Sequence, residues 1–184
     1  MPRRHGLPLL ALAALLLGGC RGDDKGASAT TPATTAAVAP ASGDRIAGSG
    51  YELRAAEGWT DVKAQLSSTS DVILATESGS VLNVLREQLA PETNQSEALE
   101  SLSRSVLEGA DATRLSASTP TTLDGADGIT FRVRVKSDRG PADGRVVIVI
   151  HEGYAYAIAA NTSPDEPVST SRAFASMLRS WRWT

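Results

Sequence analysis

The sequence predicts an α+β domain in which an antiparallel sheet is covered by helices. Three observations predict it. From Ile129 to Lys136 the residues alternate, with Ile129, Phe131, Val133 and Val135 on one face and Thr130, Arg132, Arg134 and Lys136 on the other. That is the period-two pattern of a half-buried strand. From Val146 to Ile150 every residue is apolar, as in a central strand covered on both sides. Two other segments, Asn94 to Glu108 and the stretch after Pro167, carry large apolar residues at helical spacing.

Each element follows in chain order. Tyr51 to Val62 reads as a strand, with a turn at Gly58-Trp59. Asp71 to Thr76 and Ser80 to Leu89 are two apolar-rich strands around Glu77-Ser78-Gly79, a hairpin signature. In the first helix Leu99, Leu102 and Val106 share a face. Asn94 can cap it, with Glu97 three residues on as the reciprocal partner, and Gly109 suits its stop. Thr113 to Ser118 is a further strand candidate, and Asp124 to Gly128 is a turn. Arg145 to His151 is the central strand, Glu152-Gly153 turns the chain, and Tyr154 to Ala160 returns. The second helix buries Phe174, Leu178 and Trp181. Trp59 reads as a core plug, since a Trp adds much area to a small core.

The first twenty residues read as an address. Arg3 and Arg4 form a basic start, Leu7 to Leu17 is an uncharged apolar stretch, and Gly18-Gly19-Cys20 follows. This is the pattern of an export signal over residues 1–19. The stretch is too short for a bilayer core of ~30 Å, which takes ~20 helical residues. Leu17-Gly18-Gly19-Cys20 looks like a bacterial lipobox. It implies a diacylglycerol on the Cys20 thiol, cleavage before Cys20, and acyl chains of the palmitate class. The expected location is a cell membrane, with the domain lipid-anchored on the extracytoplasmic side. From Arg21 to Gly50 the chain is Ala, Thr, Ser, Gly and Pro with almost no large apolar residue. It reads as a flexible stalk of roughly 30 Å. Residues 20–50 are thus lipidated Cys and stalk, and 51–184 the folded domain.

Composition excludes several chemistries. Cys20 is the single cysteine, so lipidation leaves no disulfide and no thiolate nucleophile. The full chain has 18 Lys+Arg against 21 Asp+Glu. Removing Arg3 and Arg4 takes the mature balance to −5 (16 − 21). That acidity argues against nucleic acid as a partner. After the signal one histidine remains, His151, and no Gly-x-Ser-x-Gly presents a serine. No spacing suits zinc or calcium. Asp124, Asp127 and Asp143 sit beside glycines and Asp138 two residues before one, as turns require. No catalytic residue, metal or cofactor is expected.

The central meander is the most informative stretch. If Lys136 pairs with Arg145 and Glu152-Gly153 forms a two-residue turn, then Phe131, Val133, Ile148, Ile150, Ala155 and Ala157 share one face. The opposite face carries Arg132, Arg134, Val147, Val149, Tyr156 and Ile158. Arg132, Arg134, Val149 and Tyr156 are the candidate ligand or partner residues, the arginines gripping an anion and the rest an apolar body. The other reading, favoured on general grounds, is that a helix or loop covers this face while the arginine heads reach water.

The order of elements, with Gly58-Trp59, the Gly125 to Gly128 turn, the Glu152-Gly153-Tyr154 turn and the ending Leu178 to Trp181, resembles the PsbP/Mog1/DcrB-like superfamily. Within it, the small bacterial lipoproteins of the LpqN type are most alike. The family often has Pro before Gly-Trp, whereas Ala56-Glu57 stand here. The resemblance implies an α-β-α sandwich around a central antiparallel sheet, and accessory or binding roles without common catalytic residues. The LpqN branch implies work in the cell envelope on a lipid or a membrane-protein partner. The expected function is that of a non-catalytic, membrane-anchored binding or accessory lipoprotein. The alternatives are a structural or assembly lipoprotein without a small ligand, and a hydrolase with an unrecognised site.

Overall fold

The computed structural model describes residues 37–184 apart from 67, 137–139 and 163–166, and the side chains of 167–169 are also outside it. The expected export signal, Cys20 and the chain to residue 36 lie outside the described residues, as does Asp138. Strands β1 (Arg45–Ala47), β2 (Tyr51–Arg54), β3 (Thr60–Asp61), β4 (Val72–Ala75) and β5 (Val81–Gln88) precede helix α1 (Gln95–Gly109). Then come β6 (Ala112–Arg114), β7 (Thr119–Leu123), β8 (Ala126–Val135), β9 (Ala142–His151) and β10 (Tyr154–Asn161). Helix α2 (Pro167–Ser180) and a short β11 (Arg182–Trp183) close the chain.

The large sheet is antiparallel, in the order β3-β4-β5-β10-β9-β8-β6. β7 shares the outer edge of β8 with β6, facing Ala126 to Thr130 while β6 faces Val133 to Val135. A small second sheet, β1-β2-β11, packs on the α2 side.

β9 sets the layers. Val146 and Ile148 join Phe131, Val133, Ala155 and Ala157 beneath Leu102 and Val106 of α1. Val147 and Val149 face the other way, into a core with Leu74, Leu82, Val84, Tyr156, Ile158, Phe174, Met177 and Trp181. Helix, sheet and helix therefore form three layers. Trp59 is buried in the α2-side core, the plug its sequence context suggests. There Tyr51 stacks on Trp181 at 4.0 Å and 7°, and meets Tyr156 edge-on at 5.7 Å.

The local chemistry follows the sequence closely at the caps and turns. The Asn94 side chain accepts from the Ser96 N–H at 2.9 Å and the Glu97 N–H at 3.4 Å. Asp124-Gly125 and Glu152-Gly153 all have positive φ, the conformation of two-residue hairpin turns that twist with their strands. Gly128 has a different reason: a Cβ there would lie 2.0 Å from the Ile148 carbonyl oxygen.

Several expectations are corrected. The folded part begins by Ala41 rather than Tyr51, because Ala41 is buried and its N–H donates to the Ser176 carbonyl at 2.9 Å. β1 lies within the expected stalk, added to β2 through backbone hydrogen bonds. The expected strand Tyr51 to Val62 is broken by the turn at Gly58, φ +78, and its halves go to different sheets. β7 occupies a stretch to which the sequence reading assigned no element; Pro120 within it is tolerated at a sheet edge. On α2, Met177 is fully buried and Leu178 only partly. In the meander, Arg145 pairs with Arg132, not Lys136. The slip is four residues, so every side chain keeps its expected face while its neighbours change.

A polar latch joins the small sheet to the large one. The Ser49 N–H and hydroxyl donate to the Asp71 carboxylate at 2.7 and 2.8 Å. Lys63 Nζ donates to the Asp71 carbonyl at 2.7 Å, and the Tyr156 hydroxyl donates to the Ser49 carbonyl at 3.2 Å. Burial pushes the Asp71 carboxyl up, but the Ser49 donors, the Tyr51 hydroxyl and Lys63 outweigh it and hold the group below its ordinary 3.8. Burial, with Asp71 beside it, drives the Tyr51 hydroxyl far above the usual phenol range.

Two predictions follow from this packing. Ile148, with no exposure, should cost ~2–5 kcal/mol on truncation to Ala in denaturant unfolding. Amide exchange should be slowest across Val146 to Ile150; faster exchange there than in Tyr51 to Arg54 would displace β9 from the centre. The second concerns acid. A carboxyl lowered in the folded state stabilises fully above its ordinary pKa of 3.8 and loses that contribution as pH falls through the lowered value. Asp71→Asn should therefore unfold at a lower temperature than the parent at neutral pH. The gap should narrow as pH falls below 3.8 and close beneath the lowered value.

Candidate functional site

Where β8, β9 and β10 run past the first turns of α2, the sheet opens into a cleft of ≈ 500 Å³. That is within the ~300–1,000 Å³ of small-molecule sites. Thr130, Arg132, Asp143, Arg145 and Thr162 line it from the sheet, and Thr170, Ser171 and Phe174 from α2.

The long alternating strand and its register build the rim. Arg132 stands directly opposite Arg145, and Arg134 opposite Asp143. Arg134 Nε donates to Asp143 Oδ1 at 2.7 Å, while Arg132 Nη2 is 3.5 Å from Asp143 Oδ2. The hydrogen bond from Arg134, helped by both guanidinium charges, holds the Asp143 carboxyl below the usual range. Arg145 Nε donates to the Thr130 hydroxyl oxygen at 3.0 Å, and that hydroxyl donates to the Val146 carbonyl at 2.9 Å. Among the described residues Arg145 has no carboxylate partner. Thr162 fixes the backbone below, its hydroxyl and N–H both donating to the Asp143 carbonyl at 2.6 and 2.9 Å. The arrangement presents fixed cationic donors around a concave wall.

The structure divides the four residues that sequence reasoning grouped. Arg132 and Arg134 share a face, with side chains 64% and 51% exposed. Val149 and Tyr156 lie on that face too but are 0% and 2% exposed. They are core residues under Trp181 and the small sheet, and cannot touch a ligand at the arginines. Val149 is four residues along β9 from Arg145, about 13 Å at ~3.3 Å per residue. Arg145, Thr130 and Thr162 were missed. A correct strand register was the signal that could have found the first two.

His151 stands at the far end of β9, six residues and about 20 Å from Arg145 by the same rise. Its ring stacks on Trp183 at 4.1 Å and 18°. Trp183 is itself held by its N–H to Asp124 Oδ2 and its indole N–H to the Leu123 carbonyl, both at 3.1 Å. The environment gives His151 a packing role. Among the described residues no three His, Cys, Asp or Glu gather as metal ligands, and no helix is long and apolar enough to cross a membrane.

No family profile and no curated sequence matches the chain. Solved structures do. Cyanobacterial PsbP (CyanoP) from Synechocystis aligns with a TM-score of 0.58 at 15% identity, over 77% of this chain and 92% of that one. LpqN of Mycobacterium tuberculosis, described as involved in cell envelope biogenesis, aligns with a TM-score of 0.59 at 12% identity, over 77% and 90%. A mutant form of Mog1 aligns at 0.50 and 14% identity, over 77% and 96%. At such identities the likeness speaks for architecture, and it agrees with the three layers described above. This chain has the PsbP/Mog1-like α+β fold.

Proposed function

We propose that this protein is a non-catalytic binding or accessory module of the cell envelope, tethered through a lipid on Cys20. The observation that carries the reading is the order of parts. A lipobox at Leu17 to Cys20 and a polar Ala/Thr/Ser-rich segment precede a domain with the fold of LpqN, a protein described as involved in envelope biogenesis. The lipid keeps the domain at the membrane, and the intervening segment gives it reach. Two acyl chains hold firmly where one anchors only marginally, at ~0.8 kcal/mol per buried CH₂. The domain offers binding surface at the Arg132 end of the meander. Its one remaining histidine is engaged with Trp183 instead of a nucleophile.

Metabolic labelling with an acyl probe tests the tether. Cys20→Ser should abolish the label and shift the protein from detergent phase to aqueous phase; undiminished labelling would remove the claim. The binding role is tested by recovering the full-length protein from its own membranes and identifying what accompanies it. Arg132→Ala combined with Arg134→Ala should reduce the recovered lipid or membrane protein. The thermal midpoint should barely move, because exposed ion pairs contribute little to stability. Unfolding of the double variant would make the arginines structural.

A further inference from the structure

We propose that the cleft between the β8–β9 arginines and the first turns of α2 binds a phosphate group, with Arg132 and Arg145 as the two arms of a clamp. The proposal gives a ligand class to the binding module above. It rests on that reading for its place in the envelope and not for its chemistry.

The argument starts from an electrostatic mismatch. Arg132 and Arg145 are direct cross-strand partners on one face. Side chains so placed have Cβ atoms ~4.5–5.5 Å apart, and like charges there are destabilising. Two residues along, the sheet does the opposite and sets Arg134 against Asp143. Asp143 does not serve all three arginines. Its Oδ1 takes the short bond from Arg134, and Arg132 reaches Oδ2 only at 3.5 Å. Among the described residues, three guanidinium groups thus face one carboxylate, a balance of +2 (3 − 1). Arg145 is oriented by Thr130 through Nε, and its terminal nitrogens have no acceptor among the described residues. The sequence has put two like charges opposite each other, fixed one of them, and left a cavity beside them.

An anion between the two heads would turn this repulsion into attraction. Phosphate fits better than carboxylate. A carboxylate offers one planar pair of oxygens, enough for a single guanidinium fork, whereas a tetrahedral phosphate can present separate oxygen pairs to two. Thr170 and Ser171 of α2 close the cleft on the side opposite the arginines, the Thr170 hydroxyl being paired with that of Ser80 at 2.9 Å. Phe174 and Ala160 supply an apolar inner wall for the remainder of a phosphoester. The concave shape and volume suit a small molecule or a headgroup more than an acidic protein surface.

The test uses the full chain carrying Cys20→Ser in neutral detergent, with inorganic phosphate as probe and chloride at matched ionic strength as control. Phosphate should raise the thermal midpoint where chloride does not. Arg145→Ala and Arg132→Ala should each weaken phosphate binding at least about tenfold, the loss expected for one charge-assisted contact. Arg145→Lys keeps the charge, loses the fork and should fall between. Without phosphate, Arg145→Ala should unfold at or above the parent temperature, since it relieves like-charge repulsion; a merely structural arginine would do the reverse. Glycerol 3-phosphate and short-chain phosphatidylglycerol then separate the sources. Tighter binding of the lipid assigns a headgroup, and equal binding a soluble phosphoester. The proposal is overturned if phosphate gives no rise, if Arg145→Ala retains it, or if polyglutamate binds and phosphate does not. Acyl labelling at Cys20 is independent of all these outcomes, so failure here leaves the tether standing.

Discussion

A strand that is apolar on both faces cannot stand at the surface of a sheet, and β9 is such a strand. Val146 and Ile148 point to one side and Val147 and Val149 to the other, all at most 3% exposed. Each face needs its own cover, and the chain supplies two kinds. On one side the neighbours on β10 are Ala155 and Ala157, small enough for α1 to approach closely with Leu102 and Val106. On the other side the neighbours are Tyr156 and Ile158. The cover there is thicker, made of Phe174, Met177 and Trp181 from α2 together with Tyr51 and Leu53 of the small sheet. The order of layers and the need for a second sheet both trace to how β9 and β10 distribute bulk between their faces.

The thick side also needs fixing in register, since the small sheet is joined to the large one mainly by side chains. The stacked Tyr51–Trp181 pair contributes ~0.5–1.5 kcal/mol beyond its area. The Ser49–Asp71 bonds add direction to it. Both charge-assisted bonds hold a loop rather than a strand. The hairpin β1–β2 can then be short, because Ser49 fixes its turn while Tyr51 and Leu53 of β2 anchor it in the core.

This explains what could be read from the sequence. The alternation of β8, the uninterrupted apolar run of β9, the Asn94 cap and the Glu152-Gly153 turn are local signals, and the structure keeps all of them. β1 and β7 were invisible because their backbones pair at sheet edges while their side chains stay largely exposed; composition records side chains. The break of Tyr51 to Val62 depends on two sheets competing for one chain, which no window of sequence contains. Met177 was passed over for Leu178 because the choice between adjacent positions on a helix depends on where the sheet lies.

The site shows a subtler limit. Sequence reasoning placed Arg132, Arg134, Val149 and Tyr156 correctly on one face but set the β8–β9 register four residues out. A slip of an odd number would have put arginines in the core and been recognisable as wrong. A slip of four conserves every face, so binary patterning is blind to it. Yet it decides which residues meet. In the expected register Lys136 faced Arg145 and the arginines neighboured the aliphatic set. In the actual one Arg132 faces Arg145 and Arg134 faces Asp143. Meanwhile Val149 lies opposite Gly128, under the aromatic core. The length of β8 sets this: it begins at Ala126, immediately after a two-residue turn, and its early residues take the partners that the shorter strand had assigned to later ones. The core therefore sits at the Gly128–Val149 end of the meander and the charged rim at the Arg132–Arg145 end. That division lets the rim carry unbalanced charge at little cost to folding, because none of the arginine heads is asked to leave water.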